Sequence, residues 1–307
     1  MIVFVAPGQG SQTPGFLAPW LELKGTRELL EGLSDAAQVD LVRHGTVSDA
    51  DTIRDTSVAQ PLIVAAGIVT LNALAEAELI SPADGIAGHS VGEFTAAAGA
   101  GVLEPMDAVR LVGIRGRAMA EAASQEKTGM SAVVGGDEAD VLSRVETHGL
   151  QAANFNGGGQ IVVAGSTASL SEFAANPPAG ARVIPLQVAG AFHTSYMTSA
   201  VSVLQEAASQ VNTHDPVRPL WTNRDGSLVT RGLSFVDLLV GQVSSPVRWD
   251  LCMTSFDAAG ITGLIELAPA GALVGLAKRA LKGVPTVAIK SPNDLDAVRE
   301  LIAQGGN

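Results

Sequence analysis

Ser90 lies in Gly88-His89-Ser90-Val91-Gly92, a G-x-S-x-G run preceded by the apolar pair Ile86-Ala87 and followed by Glu93-Phe94-Thr95-Ala96-Ala97-Ala98. A serine between a short strand and the opening of a helix sits on a sharp turn, with its oxygen clear of the sheet. The flanking glycines admit a backbone path that side chains would obstruct. The next amide, Val91, points to where a carbonyl oxygen would gain negative charge. That is the equipment of acyl transfer through a covalent ester, although the same string in a loop also serves as an ordinary turn.

Such a serine needs a base. The chain has five histidines: His44, His89, His148, His193 and His214. His89 adjoins Ser90, but neighbouring side chains diverge on a tight turn, so it reads as a packing or bonding residue beneath the elbow. His44, His148 and His214 sit in polar surroundings and read as surface residues. His193, in Ala189-Gly190-Ala191-Phe192-His193-Thr194, falls at a domain junction and the start of a helix. Junctions are where pockets form, so His193 reads either as the base or as a structural histidine. Gly8-Gln9-Gly10-Ser11-Gln12 follows the first strand. It lacks the lysine of a phosphate loop, and its amides could supply a second oxyanion donor or simply form a turn. Arg115 interrupts an apolar helix. It either snorkels to the surface or, if buried near Ser90, meets an anion such as a substrate carboxylate.

The elements that would hold these residues alternate in type. Val3–Ala6 and Ile86-Ala87 read as strands, and 61–78, 93–100 and 105–123 as helices. This is the rhythm of a parallel sheet with helices on both faces. After a polar loop at 124–129 the order becomes strand 130–134, helix 138–147, strand 150–154, strand 160–165, helix 168–175 and strand 181–188. That βαββαβ order is the split arrangement of a ferredoxin-like unit. The expected fold is α/β: an α/β-hydrolase-like parallel-sheet core formed by 1–126 and 191–307, with 127–190 as an inserted small domain.

Bulk properties narrow the function. The 307 residues carry 31 acidic and 19 basic groups, a net charge of −12, with 4% aromatics. A nucleic-acid partner is disfavoured on both counts. The single Cys252 excludes an internal disulfide and a cysteine zinc cluster, fits a reducing cytoplasm, and reads as a buried small hydrophobe. The uncharged stretch 57–75 is interrupted by Gln60, Pro61, Thr70 and Asn72 and is expected to be a buried helix of the fold, not a membrane span.

Six motifs together carry a resemblance: GQGSQ at 8–12, GHSVGEF at 88–94, RGRAM at 115–119, NFNGGGQ at 154–160, GAFH at 190–193 and QVSSPVRW at 242–249. In this order and spacing the chain resembles the malonyl-CoA:acyl-carrier-protein transacylases, of stand-alone actinobacterial type, and the related acyltransferase domains of polyketide synthases. The resemblance implies Ser90 as nucleophile and His193 as base, oriented by the backbone carbonyl of Gln242. It also implies oxyanion amides at Gln9 and Val91 and a carboxylate clamp at Arg115. Phe192 matches forms that prefer malonyl over methyl-branched units; Asn154 and Asn156, with His89 and Met119, would border the pocket. The implied partners are malonyl-CoA and acyl carrier protein, with no metal or cofactor, in a monomeric cytoplasmic enzyme. Lys278, Arg279 and Lys282 form a basic cluster that could dock an acidic carrier protein or merely complement a helix end. The rival readings are an α/β-type serine hydrolase or thioesterase, a polyketide-pathway acyltransferase, and a non-catalytic carrier-binding subunit.

Overall fold

The computed structural model describes residues 1–81 and 83–305. Among the described residues, nine strands form two sheets. Strands β1 (Ile2–Ala6), β2 (Gly85–Gly88), β8 (Gly263–Glu266) and β9 (Thr286–Ala288) pair in the order β2-β1-β8-β9, all parallel. Side chains of β1 alternate between two cores. Ile2, Phe4 and Ala6 face one cluster that includes Ile86 and Ile265, and Val3 and Val5 face another with Ala87, Leu264, Trp249 and Phe256. Both faces are thus covered, which explains why these strands read as continuous apolar runs without alternation.

The second sheet is built from β3 (Thr128–Gly135), β4 (Gln151–Gly157), β5 (Gln160–Ser166), β6 (Ala181–Pro185) and β7 (Val247–Arg248), in the order β6-β3-β5-β4-β7. The first four strands, with helices Glu138–Thr147 and Thr167–Ala175 between them, have the strand order of the split βαββαβ unit. Several boundaries differ from the sequence reading: the helix read at 61–78 spans Thr56–Glu76, and the strand read at 150–154 spans Gln151–Gly157. The polar loop shrinks to Glu126-Lys127, because the helix Pro105–Gln125 runs on and β3 starts at Thr128. The last strand ends at Pro185, three residues early; past a final bond from the Leu186 N–H to the Met130 carbonyl at 2.9 Å, the chain leaves the ladder. A fifth strand, β7, comes from the later part of the chain and pairs parallel with β4 at Asn154↔Val247 and Phe155↔Arg248.

The uncharged stretch lies in helix Thr56–Glu76. It is long and apolar enough to cross a membrane, but 78% of its apolar window is buried inside the fold. Cys252 is fully buried, as expected.

Candidate active site

The elbow is built by close approach. A Cβ on Gly88 would overlap the Gly92 backbone, and one on Gly92 would overlap the Ala6 carbonyl of β1. Space, not dihedral freedom, requires those two glycines. The left-handed residue is Ser90 itself, at φ 53°. A serine in that region is strained, and the surroundings must hold it there. Asn223 does so: its Oδ1 accepts from the Ser90 amide at 2.7 Å and its Nδ2 donates to the Gly88 carbonyl at 2.7 Å.

His193 is the other left-handed residue here, at φ 62°. It occupies a turn, with a one-turn 3-10 helix, Ser195–Met197, and then helix Thr198–Ala208 behind it. Thr194 closes the turn by donating to the Ala191 carbonyl at 2.5 Å, and the Ala191 amide is tied to Thr128 Oγ1 at 3.1 Å. The strained turn carries the imidazole to the elbow, where Ser90 Oγ and His193 Nε2 are 2.6 Å apart. On the far side of the ring, Nδ1 lies 2.9 Å from the Gln242 carbonyl. A carbonyl only accepts, so Nδ1 carries the proton and Nε2 is free to accept from the serine hydroxyl. Burial, and next the charge of Arg115, hold the imidazole down to about 3. The ring is neutral at physiological pH, as a proton acceptor must be.

One cavity of about 420 Å³ collects Gln9, His89, Ser90, Val91, Arg115, Met119, Asn154, Asn156, Phe192 and His193. Its volume suits a small acyl group with part of its carrier arm. Among the described residues, the backbone N–H groups of Val91 and Gln9 donate to no protein acceptor. His89 packs edge-on against Trp249, and its Nε2 meets Asn156 Oδ1 at 2.9 Å, which fits the supporting role read from sequence. Asn156 in turn donates to Gln160 at 2.9 Å.

Arg115 is 1% exposed, so the snorkelling alternative does not hold. Its Nη1 donates to Gln60 Oε1 at 2.7 Å and its Nη2 to Gln242 Oε1 at 3.0 Å, while Phe94 lies under the guanidinium at 5.9 Å. Its buried Nε–H has no hydrogen-bond partner among the described residues. Burial lowers the guanidinium to about 10, which still leaves it charged. A buried cation bonded through two of its five N–H donors to neutral amides can receive an anion.

Two functional neighbours escaped the sequence reading: Asn223 and Glu93. Glu93, 1% exposed, accepts from the Asn223 amide at 2.6 Å and from the side-chain amide of Gln242. Burial pushes its carboxyl pKa up, while the Asn223 amide bond, the Arg115 charge and the Gln242 amide act against that rise; N–H donors meet both oxygens, so the geometry fits the carboxylate. An acid in the first turn of an otherwise apolar helix was the available signal; it passes for ordinary dipole compensation. Lys278, Arg279 and Lys282 are exposed at and just beyond the end of helix Ala272–Ala280, and only Arg279 also reaches the cavity.

The family model described as an acyl transferase domain matches residues 3–297. The malonyl CoA-acyl carrier protein transacylase of Mycobacterium tuberculosis is 50% identical over 302 residues, which is 98% of this chain and all of that one. The chain belongs to the acyltransferase family that includes these transacylases. The crystal structure of the M. tuberculosis protein superposes on this acyltransferase with a TM-score of 0.95 at 49% identity, covering 97% of this chain and 99% of the other. A malonyl-transacylase solved in complex with a type II polyketide acyl-carrier protein gives 0.91 at 28% identity, covering 97% and 99%. Within this acyltransferase, the partner of His193 Nδ1 is a main-chain carbonyl, where a Ser-His-Asp hydrolase would have a carboxylate.

Proposed function

We propose that this acyltransferase moves malonyl from malonyl-CoA to the phosphopantetheine thiol of an acyl carrier protein, through a malonyl ester on Ser90. The observation that carries the reading is the buried Arg115, with an unpartnered Nε–H, in the same cavity as the 2.6 Å Ser90–His193 pair. A carboxylate at the far end of a three-carbon acyl group would satisfy it.

His193 Nε2 takes the hydroxyl proton as Ser90 Oγ attacks the thioester carbonyl. The Gln9 and Val91 amides hold the oxyanion, each worth about 10²–10³ in rate. The tetrahedral adduct collapses, the C–S bond breaks, and the proton on His193 passes to the coenzyme A thiolate. The carrier thiol then gives its proton to His193 and attacks the ester carbonyl; this second adduct collapses, the bond from carbonyl carbon to Ser90 Oγ breaks, and His193 passes the proton to Ser90 Oγ. Gln242 holds the proton-bearing face of the imidazole through its carbonyl. The site is complete within one chain, so the proposed chemistry needs no second copy. Lys278 and Lys282 form the rim on which the acidic carrier protein docks, with Arg279 between rim and cavity.

Intact-mass analysis after mixing with malonyl-, methylmalonyl- and acetyl-CoA tests the reading. The expected result is one malonyl adduct, lost in Ser90→Ala, stable in water and discharged by holo carrier protein. An adduct that hydrolyses as fast as it forms would make the protein a hydrolase, and an adduct unaffected by Ser90→Ala would end the reading.

A further inference from the structure

Gln242 touches all three groups that the proposed chemistry needs. Its main-chain carbonyl receives His193 Nδ1, its Oε1 receives Arg115 Nη2, and its Nε2 donates to the Ser90 carbonyl at 3.2 Å. A primary amide can turn over, exchanging its oxygen and nitrogen. Turned over, Gln242 would present N–H to the Arg115 guanidinium and an oxygen to the Ser90 carbonyl, two repulsive contacts. The group that sets the amide from the other side is Glu93, whose Oε2 accepts from Gln242 Nε2. Its second oxygen accepts from the main chain of Asn223 at 2.6 Å, and the Asn223 side chain braces the elbow. Glu93 thus fastens both the strut under Ser90 and the strut shared by His193 and Arg115.

We infer that Glu93 is a positioning residue for malonyl transfer: its two acceptor oxygens fix the Gln242 amide, and through it the aim of Arg115, so Glu93 sets the preference for carboxylated over plain acyl groups. The inference rests on the function proposed above. It needs a side chain that accepts at both ends. A glutamine offers one oxygen and one NH₂, so Glu93→Gln must set a donor against either Gln242 Nε2 or the Asn223 amide. Gln242→Met removes the side-chain amide and leaves the main-chain carbonyl for His193.

The test measures serine acylation by malonyl-CoA and acetyl-CoA for wild type, Glu93→Gln, Gln242→Met and the double variant, each normalised to folded protein by its unfolding transition. Each single variant is expected to lower the malonyl-to-acetyl ratio about tenfold or more. The double variant should lower it no further, because contacting residues in one network do not add. Loss of folded material alone reduces both substrates equally and leaves the ratio unmoved. A wild-type ratio in Glu93→Gln, or ratio losses that multiply in the double variant, overturns the inference. Should Glu93→Gln fail to fold, a wild-type ratio in Gln242→Met overturns it by itself. Wild-type protein that never acylates Ser90 would instead defeat the parent reading along with this one.

Discussion

Arg115→Ala should remove malonyl transfer while sparing much of acetyl transfer. The guanidinium is 1% exposed and holds a free Nε–H beside Nη groups already aimed by Gln60 and Gln242. A bound carboxylate would gain two charge-assisted bonds, each worth about 1.5–3 kcal/mol. Their sum, about 3–6 kcal/mol, corresponds to roughly 10²–10⁴ in kcat/KM for malonyl-CoA at about 1.4 kcal/mol per decade. Alanine also leaves the Gln60 and Gln242 carbonyl oxygens without their partner. Part of that disturbance reaches His193 through Gln242 and falls on both substrates, so acetyl-CoA should lose about tenfold or less. The ratio of the two losses isolates the carboxylate. Lysine keeps the charge without the planar fork and should restore only part of the malonyl rate. Single-turnover acylation followed by intact mass, with both thioesters at several concentrations, provides the numbers. Equal loss for malonyl and acetyl would show that Arg115 organises the pocket without touching the acyl group.

Other outcomes follow from the same geometry. Because burial and then Arg115 depress His193 to about 3, the imidazole stays neutral and serine acylation should vary less than about twofold between pH 5 and 8; a limb near 6.5 would contradict the buried setting. Between those two pKa values the unfolded chain binds a proton that the folded one refuses, so His193 makes stability fall as pH drops from about 6.5 toward 3, measurable as a falling Tm. Lys278→Glu with Lys282→Glu should raise the carrier-protein KM about fivefold or more at low salt and leave that for malonyl-CoA unchanged. Arg279→Glu, at the cavity, should raise both, and a pair of unaffected KM values would remove this rim from docking. Gly92→Ala forces a methyl into the Ala6 carbonyl and should cost at least about 1–3 kcal/mol in chemical denaturation; wild-type stability would mean the elbow is looser than described.

The elements with strong local signatures were legible from sequence. The Ser90 elbow and the helix through Arg115 each declare themselves within a short local stretch, and the βαββαβ order within the one continuous segment 128–185. The Ser90–His193 pairing required the family resemblance, because 103 positions separate the two and nothing local ties them. β7 was invisible, since two residues, Val247-Arg248, carry no periodicity. Asn223 was missed for a similar reason: a lone asparagine in a loop is the commonest kind of turn residue, and its partner Ser90 lies 133 positions away. Glu93 was in plain view inside GHSVGEF, and its position at a helix start disguised it. Arg115 stayed ambiguous because a helix pattern does not say which neighbour covers a given face.

The parallel pairing of β4 with β7 stitches the inserted unit to the body of the protein, beside Asn154 and opposite the catalytic elbow. A jaw hinged only at the two covalent crossings could swing wide to admit cargo. With this extra seam, opening would also have to break the main-chain hydrogen bonds between β4 and β7. The long flexible arms of coenzyme A and of the carrier would then enter in turn past the same β4–β7 edge, which the two strands hold together.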